Sequence, residues 1–210
     1  IVLFIFLNTI SAQPIIKSLQ YFVNNDITKL AVMRMNSSDK LSIQFDIEAD
    51  SEPSFNIIFK FCNSNWEPYD NLLLEGIGQN VNYNVNLERL PITTQGAEYF
   101  VDESYPKREI KFPNSGKWMF FIVDPFDDDN IYEWGKFYVV EELVKLKTNI
   151  KNWRREERIS GNNALDRVKN IHTTFNLPDS LSQFRVKNVE IIKNMEIEYP
   201  YIIDKDAFDE

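Results

Sequence analysis

Apolar residues that recur at every second position are the strongest constraint on how this chain folds. Between positions 41 and 47, polar residues alternate with four apolar ones, Leu41, Ile43, Phe45 and Ile47. A strand with one buried and one solvated face requires this spacing, whereas a helix would distribute these residues around its circumference. The pattern therefore predicts a β-strand.

Strand-like segments separated by turn-forming residues continue from Ile16 to about Glu142. Short strands at this spacing are typical of an antiparallel β-sandwich. In one of them, Val81, Tyr83, Val85 and Leu87 alternate with asparagines, which predicts apolar side chains on one face and asparagines on the other. The predicted strands are 30–35, 41–47, 55–61, 81–87, 108–112, 117–124 and 134–141.

The last two predicted strands indicate a closing hairpin. They flank the acidic turn Asp124-Pro125-Phe126-Asp127-Asp128-Asp129-Asn130, and Asn114-Ser115-Gly116 precedes the first of them with turn-forming residues. Immunoglobulin-like exported modules often end in such a hairpin. The sequence therefore predicts an all-β fold, with an immunoglobulin-like antiparallel β-sandwich over residues 15–142.

The first residues indicate export. The apolar run Ile1–Leu7 is much shorter than the about 20 residues that a membrane-spanning helix needs. Small residues just before Gln13 resemble a secretory cleavage site, so we interpret residues 1–12 as the remnant of a signal peptide. A buried strand is the alternative. We expect no membrane span after cleavage, and no lipid attachment, because Cys62 is the only cysteine.

The residue composition of the sequence changes after Glu142. Charged residues are dense over 143–168, which we interpret as a linker. Strand-like segments return at 169–175, 184–192 and 195–203. The 68 residues of 143–210 are too few to close a second sandwich, so we predict a truncated second β domain over residues 169–210.

Composition argues against nucleic-acid binding and against most enzyme mechanisms. Lys and Arg number 23 and Asp and Glu 32, which gives a net charge of −9 and disfavours phosphate neutralisation. One cysteine and one histidine exclude a disulfide framework and a Cys/His zinc cluster, and leave little for a Ser-His-Asp site. We therefore expect no enzymatic activity, cofactor or resident metal.

Three individual motifs have ordinary structural interpretations. Gly76-Ile77-Gly78 lacks a third glycine and a following helix, so we interpret it as a turn rather than a dinucleotide fingerprint. His172 alternates with its neighbours in a predicted strand and is expected to be an ordinary side chain. Cys62 ends an apolar strand and is expected to be a small buried hydrophobe.

Two loops are candidate binding sites. Asp124, Asp127, Asp128 and Asp129 offer oxygen ligands for calcium, but they lack EF-hand spacing, and a solvated hairpin tip explains them equally well. Trp66 and Tyr69, in the loop at 63–70, either form an aromatic face for sugar stacking or protein docking, or fold back over the edge of the sandwich.

Several short motifs follow one another in a distinctive order along the chain. They are Ile16-Lys17-Ser18-Leu19-Gln20, Phe61-Cys62-Asn63-Ser64-Asn65-Trp66-Glu67-Pro68, Leu74-Glu75-Gly76, Lys111-Phe112-Pro113-Asn114, Ser115-Gly116-Lys117-Trp118 and Phe137-Tyr138-Val139-Val140-Glu141. Over roughly residues 15–145, this ordered set resembles the plug protein of the bacterial type IX secretion system. Where that family typically has His-Cys-Asn-x-Asp-Trp, this chain has Phe61 for the histidine and Asn65 for the aspartate.

The resemblance implies an exported periplasmic protein without enzymatic activity. Such a protein would bind the periplasmic mouth of a large outer-membrane β-barrel translocon and keep the pore closed when no substrate passes. On general grounds we select Asn63, Asn65, Trp66 and Tyr69 as the candidate contact loop, because rigid scaffolds present recognition loops and aromatic residues dominate interfaces.

Two other classes of function remain open from the sequence. One is an exported carbohydrate-binding sandwich that uses Trp66 and Tyr69 as a platform. The other is a hydrolase that uses a carboxylate pair, although no spacing in the sequence nominates such a pair.

Overall fold

Strands account for nearly all of the regular structure. The computed structural model describes residues 13–83, 85–152, 169–179 and 186–204. The chain divides into two compact units, Ile1–Glu141 and Glu142–Glu210. The predicted signal peptide, at residues 1–12, lies outside the described residues.

In the first unit the elements are β1 (Ile15–Val23), β2 (Val32–Arg34), β3 (Leu41–Glu48), β4 (Asn56–Cys62), α1 (Leu72–Glu75), β5 (Val81–Asn82), β6 (Glu88–Arg89), β7 (Tyr99–Tyr105), β8 (Gly116–Asp124) and β9 (Asp127–Val140). In the second unit they are β10 (Lys145–Asn152), β11 (Lys169–Asn176), β12 (Asn188–Ile191) and β13 (Tyr201–Asp204). Over the described ranges, no helix has the length and apolar character to cross a membrane.

Two sheets build the first unit. One has the strand order β1-β3-β7-β6, and the other has the order β2-β9-β8-β4-β5. Neighbouring strands are antiparallel except β2, which runs parallel to β9. Apolar side chains from both sheets form one buried cluster between them. The prediction of an all-β, immunoglobulin-like sandwich is therefore confirmed.

The core follows the alternation that the sequence predicts. Leu41, Ile43, Phe45 and Ile47 of β3 are all buried, and Trp118, Phe120 and Ile122 of β8 meet them in the same cluster. Each fully buried large apolar side chain contributes about 1.5–3 kcal/mol relative to an exposed one. These two strands are therefore central to the stability of the sandwich.

The predicted strand at 108–112 is wrong. Ile110 and Phe112 are buried there, but the segment is irregular and pairs with no described strand. The Phe112 ring instead packs edge-on against Phe59, Trp118 and Phe137, each with 5.2 Å between ring centroids. The alternating pattern arises here because the irregular segment between β7 and β8 directs Ile110 and Phe112 into the core without forming a strand.

The prediction for 81–87 is wrong in extent, and its orientation is reversed at Asn82 and Tyr83, whereas Val85 and Leu87 pack against the core cluster as predicted. The described strand there is Val81–Asn82, and Glu88–Arg89 forms a separate strand in the other sheet. Asn82 is buried, whereas Tyr83 is 69% exposed. The Asn82 amide donates a 2.8 Å hydrogen bond to the hydroxyl of Tyr105, which is fully buried. A buried hydrogen-bond partner therefore reversed the expected faces.

The acidic turn is shorter than predicted. Only Pro125 and Phe126 lie between β8 and β9, and the three aspartates that follow belong to β9. The Asp124 carboxylate accepts the N–H of Phe126 at 2.8 Å, which fixes the turn locally. Aspartate disfavours strands intrinsically. Of the three, Asp127 pairs with Asp124 of β8, whereas Asp128 and Asp129 lie in the irregular part of this pairing.

Besides the short β6, two strands of the four-stranded sheet, β1 and β7, were not among those predicted. The alternation in β1 is interrupted by an irregularity in pairing between Lys17 and Gln20, where Ser18 has a positive φ of 53°. In β7 the inward Glu103 hides the pattern. Its carboxylate is buried but pairs with Lys107 and accepts the N–H of Asn86 at 3.0 Å.

The second unit contains two antiparallel hairpins, β10–β11 and β12–β13. Strand β10 lies inside the segment interpreted as a linker, because Leu146 and Ile150 alternate with polar residues and pair with Phe175 and Ile171. The predicted strand at 195–203 is largely wrong, since turns occupy 194–199 before β13. Of the predicted strand at 184–192, residues 186–192 are described, and β12 occupies Asn188–Ile191 of them.

Gly135→Ala tests the packing between the sheets. A Cβ at Gly135 would lie 2.4 Å from Cε1 of Phe120 and 2.9 Å from Cε1 of Tyr21. We expect the free energy of unfolding to fall by about 1–3 kcal/mol, because an overpacked core must shift side chains or backbone. Urea denaturation measures it. The double variant with Phe120→Leu is the control: its loss should be smaller than the sum of the single losses, and strict additivity would contradict the packing explanation.

Asp39→Asn tests a buried carboxylate beside β2 and β3. Asp39 accepts hydrogen bonds from Asn24 at 2.8 Å and from the backbone and guanidinium of Arg34 at 2.9 Å. The Arg34 guanidinium holds the pKa of Asp39 well below its usual range. We expect a loss of about 2–3 kcal/mol at pH 7, measured by urea denaturation.

The pH dependence follows from the lowered pKa of Asp39. The Asp39 carboxylate contributes fully to the free energy of unfolding above the unfolded pKa near 4, and this contribution is lost as the pH falls towards the folded pKa. The difference between wild type and the variant should therefore shrink below about pH 4. Asp50→Asn, at an exposed aspartate, is the matched control and should change stability little; a difference between wild type and Asp39→Asn that is constant with pH would contradict the assignment.

Candidate functional site

The loop after β4 is fixed by its own hydrogen bonds around Asn63. The side-chain oxygen of Asn63 accepts the N–H groups of Asn65 at 2.8 Å and Glu67 at 3.1 Å, and its amide donates to the Glu67 carboxylate at 2.7 Å. The backbone N–H of Asn63 also donates to the carbonyl of Glu67 at 2.9 Å. One asparagine therefore sets the shape of the loop, and Asn65 is exposed on it.

Trp66 lies over the outer face of the five-stranded sheet, the face turned away from the core. Its backbone has a positive φ of 65°, and its ring packs edge-on against Tyr138 of β9, with 5.1 Å between centroids. The ammonium groups of Lys117 and Lys136 each lie 5.2 Å from the Trp66 ring centroid. The Trp66 indole N–H is buried with no hydrogen-bond acceptor among the described residues.

Tyr69 faces the opposite side of the same sheet. Its ring stacks on Phe61, with 5.8 Å between centroids and 20° between planes, and Phe61 packs against the core cluster. The N–H of Tyr69 donates to the carbonyl of Phe61 at 2.8 Å. The structure thus brings Asn63, Asn65 and Trp66 together but places Tyr69, which is 41% exposed, apart from the Trp66 ring. The two rings do not form one sugar-stacking platform.

A row of alternating lysine and tryptophan side chains extends from the loop along this outer face. We call Lys117, Trp66, Lys136 and Trp134 the lysine–tryptophan row. Lys136 lies 5.2 Å from the Trp66 ring and 5.3 Å from that of Trp134, which is 46% exposed. Cation–π pairs contribute about 0.5–1 kcal/mol at exposed sites. The Lys117 ammonium also donates to the carbonyl of Ser64 at 2.7 Å, which ties the loop to β8.

The sequence reasoning missed the second half of this row. Trp134, Lys136 and Tyr138 alternate with Phe137 and Val139, which belong to the core cluster. Because side chains alternate across a strand, the three residues had to share the outer face. That signal was present in the sequence of β9.

A buried polar cluster lies beneath the segment from Asn71 to Asn80. Glu75, at the end of α1, is fully buried, and its Oε2 accepts from Asn80 at 2.8 Å and from Lys60 at 3.4 Å. Within the described part of the chain, Glu75 Oε1 has no hydrogen-bond partner. Burial raises the pKa of Glu75, and the Lys60 ammonium opposes that rise. The carboxylate anchors this segment over β4.

A helix cap and two glycines determine the backbone of the segment from Asn71 to Asn80. The side chain of Asn71 accepts the N–H of Leu73 at 3.0 Å and caps α1, and Gly76 ends the helix with a φ of 84°. Gly76 and Gly78 both have positive φ, so the predicted turn is confirmed. Cys62 is buried, as predicted, and burial raises the pKa of its thiol to about 11.

The acidic hairpin tip shows no metal-binding arrangement. The Asp124 carboxylate accepts from Phe126 and from the hydroxyl of Tyr132, and the Asp127 carboxylate accepts the N–H of Asp129. Across the residues that the structure describes, no three His, Cys, Asp or Glu side chains are grouped to hold a metal ion. His172 is exposed in β11.

A protein-family model decides the family of this chain. The model of the type 9 secretion system plug protein 1st domain matches residues 16–141, which end where the first compact unit ends. The chain belongs to the type 9 secretion system plug family. No curated protein matches the sequence.

Among solved structures, the plug-family chain is similar to a hypothetical protein from Parabacteroides merdae, with a TM-score of 0.66 and 16% sequence identity. That match covers 83% of this chain and 43% of the other, so the chain spans less than half of its length. An immunoglobulin-like protein from Pseudomonas aeruginosa matches with a TM-score of 0.36 and 12% identity over 62% of this chain and 99% of its own.

Glu75→Gln tests the polar cluster through its pH dependence. Folding raises the pKa of Glu75, so the folded state binds the proton more tightly than the unfolded state does. The contribution of Glu75 to the free energy of unfolding therefore falls as the pH rises from the unfolded pKa towards the folded pKa. We therefore expect the variant to be at least as stable as wild type at pH 7, and its advantage to vanish below about pH 4.

Thermal or urea denaturation between pH 3 and 8 measures this difference. Glu67→Gln, at an exposed glutamate of the neighbouring loop, is the matched control and should show no such pH-dependent gain. A Glu75→Gln variant whose stability relative to wild type improves as the pH falls would show that the sign is wrong.

Proposed function

We propose that this protein is a periplasmic interaction protein without enzymatic activity. It binds the periplasmic side of the type IX outer-membrane translocon and keeps the pore closed when no substrate passes. The observation that carries the proposal is the plug-family match over residues 16–141, which coincides with one folded unit. The signal peptide interpreted at residues 1–12 supports export, and the net charge of −9 argues against nucleic acid as a partner.

The architecture of the first unit supports a sealing role on physical grounds. Closing a wide pore requires a rigid body and a complementary surface rather than a catalytic constellation. The sandwich supplies the rigid body through a core that joins both sheets. The loop at 63–70 is held in one shape by Asn63 and by the bond from Lys117 to Ser64, so little loop entropy would be lost on binding.

The candidate contact surface combines this loop with the lysine–tryptophan row. Asn65 and Tyr69 present exposed polar and aromatic groups, and Trp134 adds an exposed indole on the outer face. Aromatic side chains that are fixed by their neighbours are the usual energetic centres of protein interfaces. We propose that Asn63 and Trp66 shape the surface, and that Asn65 and Tyr69 contact the partner, Tyr69 from the side of the sheet opposite to the lysine–tryptophan row.

Co-purification from the native host tests the proposal. The full chain, tagged and expressed in place of the native copy, should co-purify with an outer-membrane β-barrel after gentle solubilisation. Asn65→Ala combined with Tyr69→Ala should lower the amount of barrel recovered by about tenfold. Tyr83→Ala, which removes another exposed tyrosine of the same unit, is the matched control and should leave recovery unchanged.

Two results would count against this proposal in different ways. Recovery of the wild-type protein as a free monomer, beside an intact barrel, would contradict binding to the translocon. Full recovery of the barrel with the Asn65 and Tyr69 variant would leave the partner in place but exclude these residues as the contact.

A further inference from the structure

One side of β9 extends well beyond the strand that covers it. Strand β9 has 14 residues and pairs with β8 along one side. On its other side, β2 pairs with Tyr138, Val139 and Val140 alone among the described strands. No described strand therefore pairs with residues 130–135 on that side, and we call this stretch the open edge.

The backbone of Trp134 points towards the open edge. The N–H of Tyr138 donates to the carbonyl of Ala31 at 2.9 Å, so the backbone groups of Tyr138 face away from β8. Pairing with β8 is regular from Glu133 to Val139. In a regular antiparallel ladder every second residue directs its N–H and C=O to the same side, so those of Trp134 also face outward.

Among the described residues, the segment that precedes β2 makes no backbone hydrogen bond to residues 130–136. The N–H of Val32 donates to the carbonyl of Leu30 at 2.8 Å, which bends the chain at the start of β2. The irregular pairing of β9 opposite Ile122 and Val123 bends the other end of the open edge. The available stretch is therefore short and has one favoured position for an added strand, centred near Trp134.

The side chains around the open edge define what kind of strand it suits. Ile131 and Trp134 are 47% and 46% exposed, so apolar contact area flanks the unpaired backbone. Asp127, Asp128 and Asp129 are all exposed at the end nearest the hairpin tip. Backbone donors and acceptors in strand geometry are satisfied most completely by another strand, and the carboxylates favour a positively charged one.

We propose that the open edge of β9 binds an extended, basic polypeptide segment as an added strand. The segment would exchange backbone hydrogen bonds with Trp134, lay apolar side chains against Ile131 and the Trp134 indole, and place lysine or arginine beside the three aspartates. In this mode the backbone supplies geometry and the alternate side chains supply selectivity. The site shares Trp134 with the candidate contact surface but includes no residue of the loop at 63–70, and it does not depend on the translocon as partner.

A synthetic peptide of alternating lysine and valine, eight residues long, is the probe. It should bind the full chain and protect the Trp134 amide from hydrogen exchange. A second peptide with glutamate in place of lysine should bind at least about tenfold more weakly, because it would meet the aspartates with like charge. A third peptide, N-methylated at every second backbone nitrogen, should lose binding, because it cannot complete a ladder.

Two variants separate backbone from side-chain contributions. Trp134→Pro removes an N–H that β8 does not use and should abolish binding, whereas Trp134→Ala keeps the N–H and should weaken binding only by loss of apolar contact. Replacing the three aspartates together, by Asp127→Asn, Asp128→Asn and Asp129→Asn, removes their negative charges. This variant should bind the lysine peptide more weakly, and its binding should depend much less on salt concentration. Circular dichroism checks that each variant is folded.

Three results would each overturn the proposal that a strand adds at the open edge. Equal binding of the N-methylated peptide, or protection that falls on β1 rather than on β9, would overturn the proposal. Absence of binding of the lysine peptide to folded wild-type protein at millimolar concentration would overturn it as well. If Trp134→Pro does not fold, unchanged affinity of the triple asparagine variant would still contradict the basic character of the partner.

Discussion

Interlocking aromatic rings across the core are the interaction on which this sandwich depends. Phe112 enters from an irregular connection and contacts Phe59, Trp118 and Phe137 of the five-stranded sheet. The edge-on geometry of these contacts suits the charge distribution of the rings and adds about 0.5–1.5 kcal/mol a pair to the burial of their area. Because Phe112 lies between β7 and β8, it also fixes the path by which the chain passes from one sheet to the other.

Buried polar side chains fix the parts of the first unit that the aromatic contacts do not. Asn82 binds Tyr105 inside the core, Glu103 binds Asn86 and Lys107 at its margin, and Glu75 binds Asn80 under the outer segment. An unsatisfied buried polar group is costly, so each of these side chains restricts its partner to one position. They hold segments that have little regular structure.

The sequence predicted strands where one face is apolar and failed where polar side chains point inward. Period-two alternation identified β3, β4 and β8 because their inner faces carry only apolar residues. The same rule missed β7, where Glu103 points inward, and misplaced the faces around Asn82. The loop at 63–70 was identified from Trp66 and Tyr69, but no sequence rule shows that a positive φ at Trp66 directs the two rings to opposite sides of a sheet. Such a result depends on contacts between residues distant in sequence.

The parallel pair of β2 and β9 gives the first unit a particular response to mechanical load. The chain enters through β1 in one sheet, crosses to pair β2 with β9 in the other, and leaves the unit just after Val140. Tension between the two ends would pull parallel neighbours in opposite directions, so their hydrogen bonds would be strained together in shear rather than opened one after another. A body held in this way resists extraction by its ends better than an antiparallel terminal hairpin, which separates by unzipping.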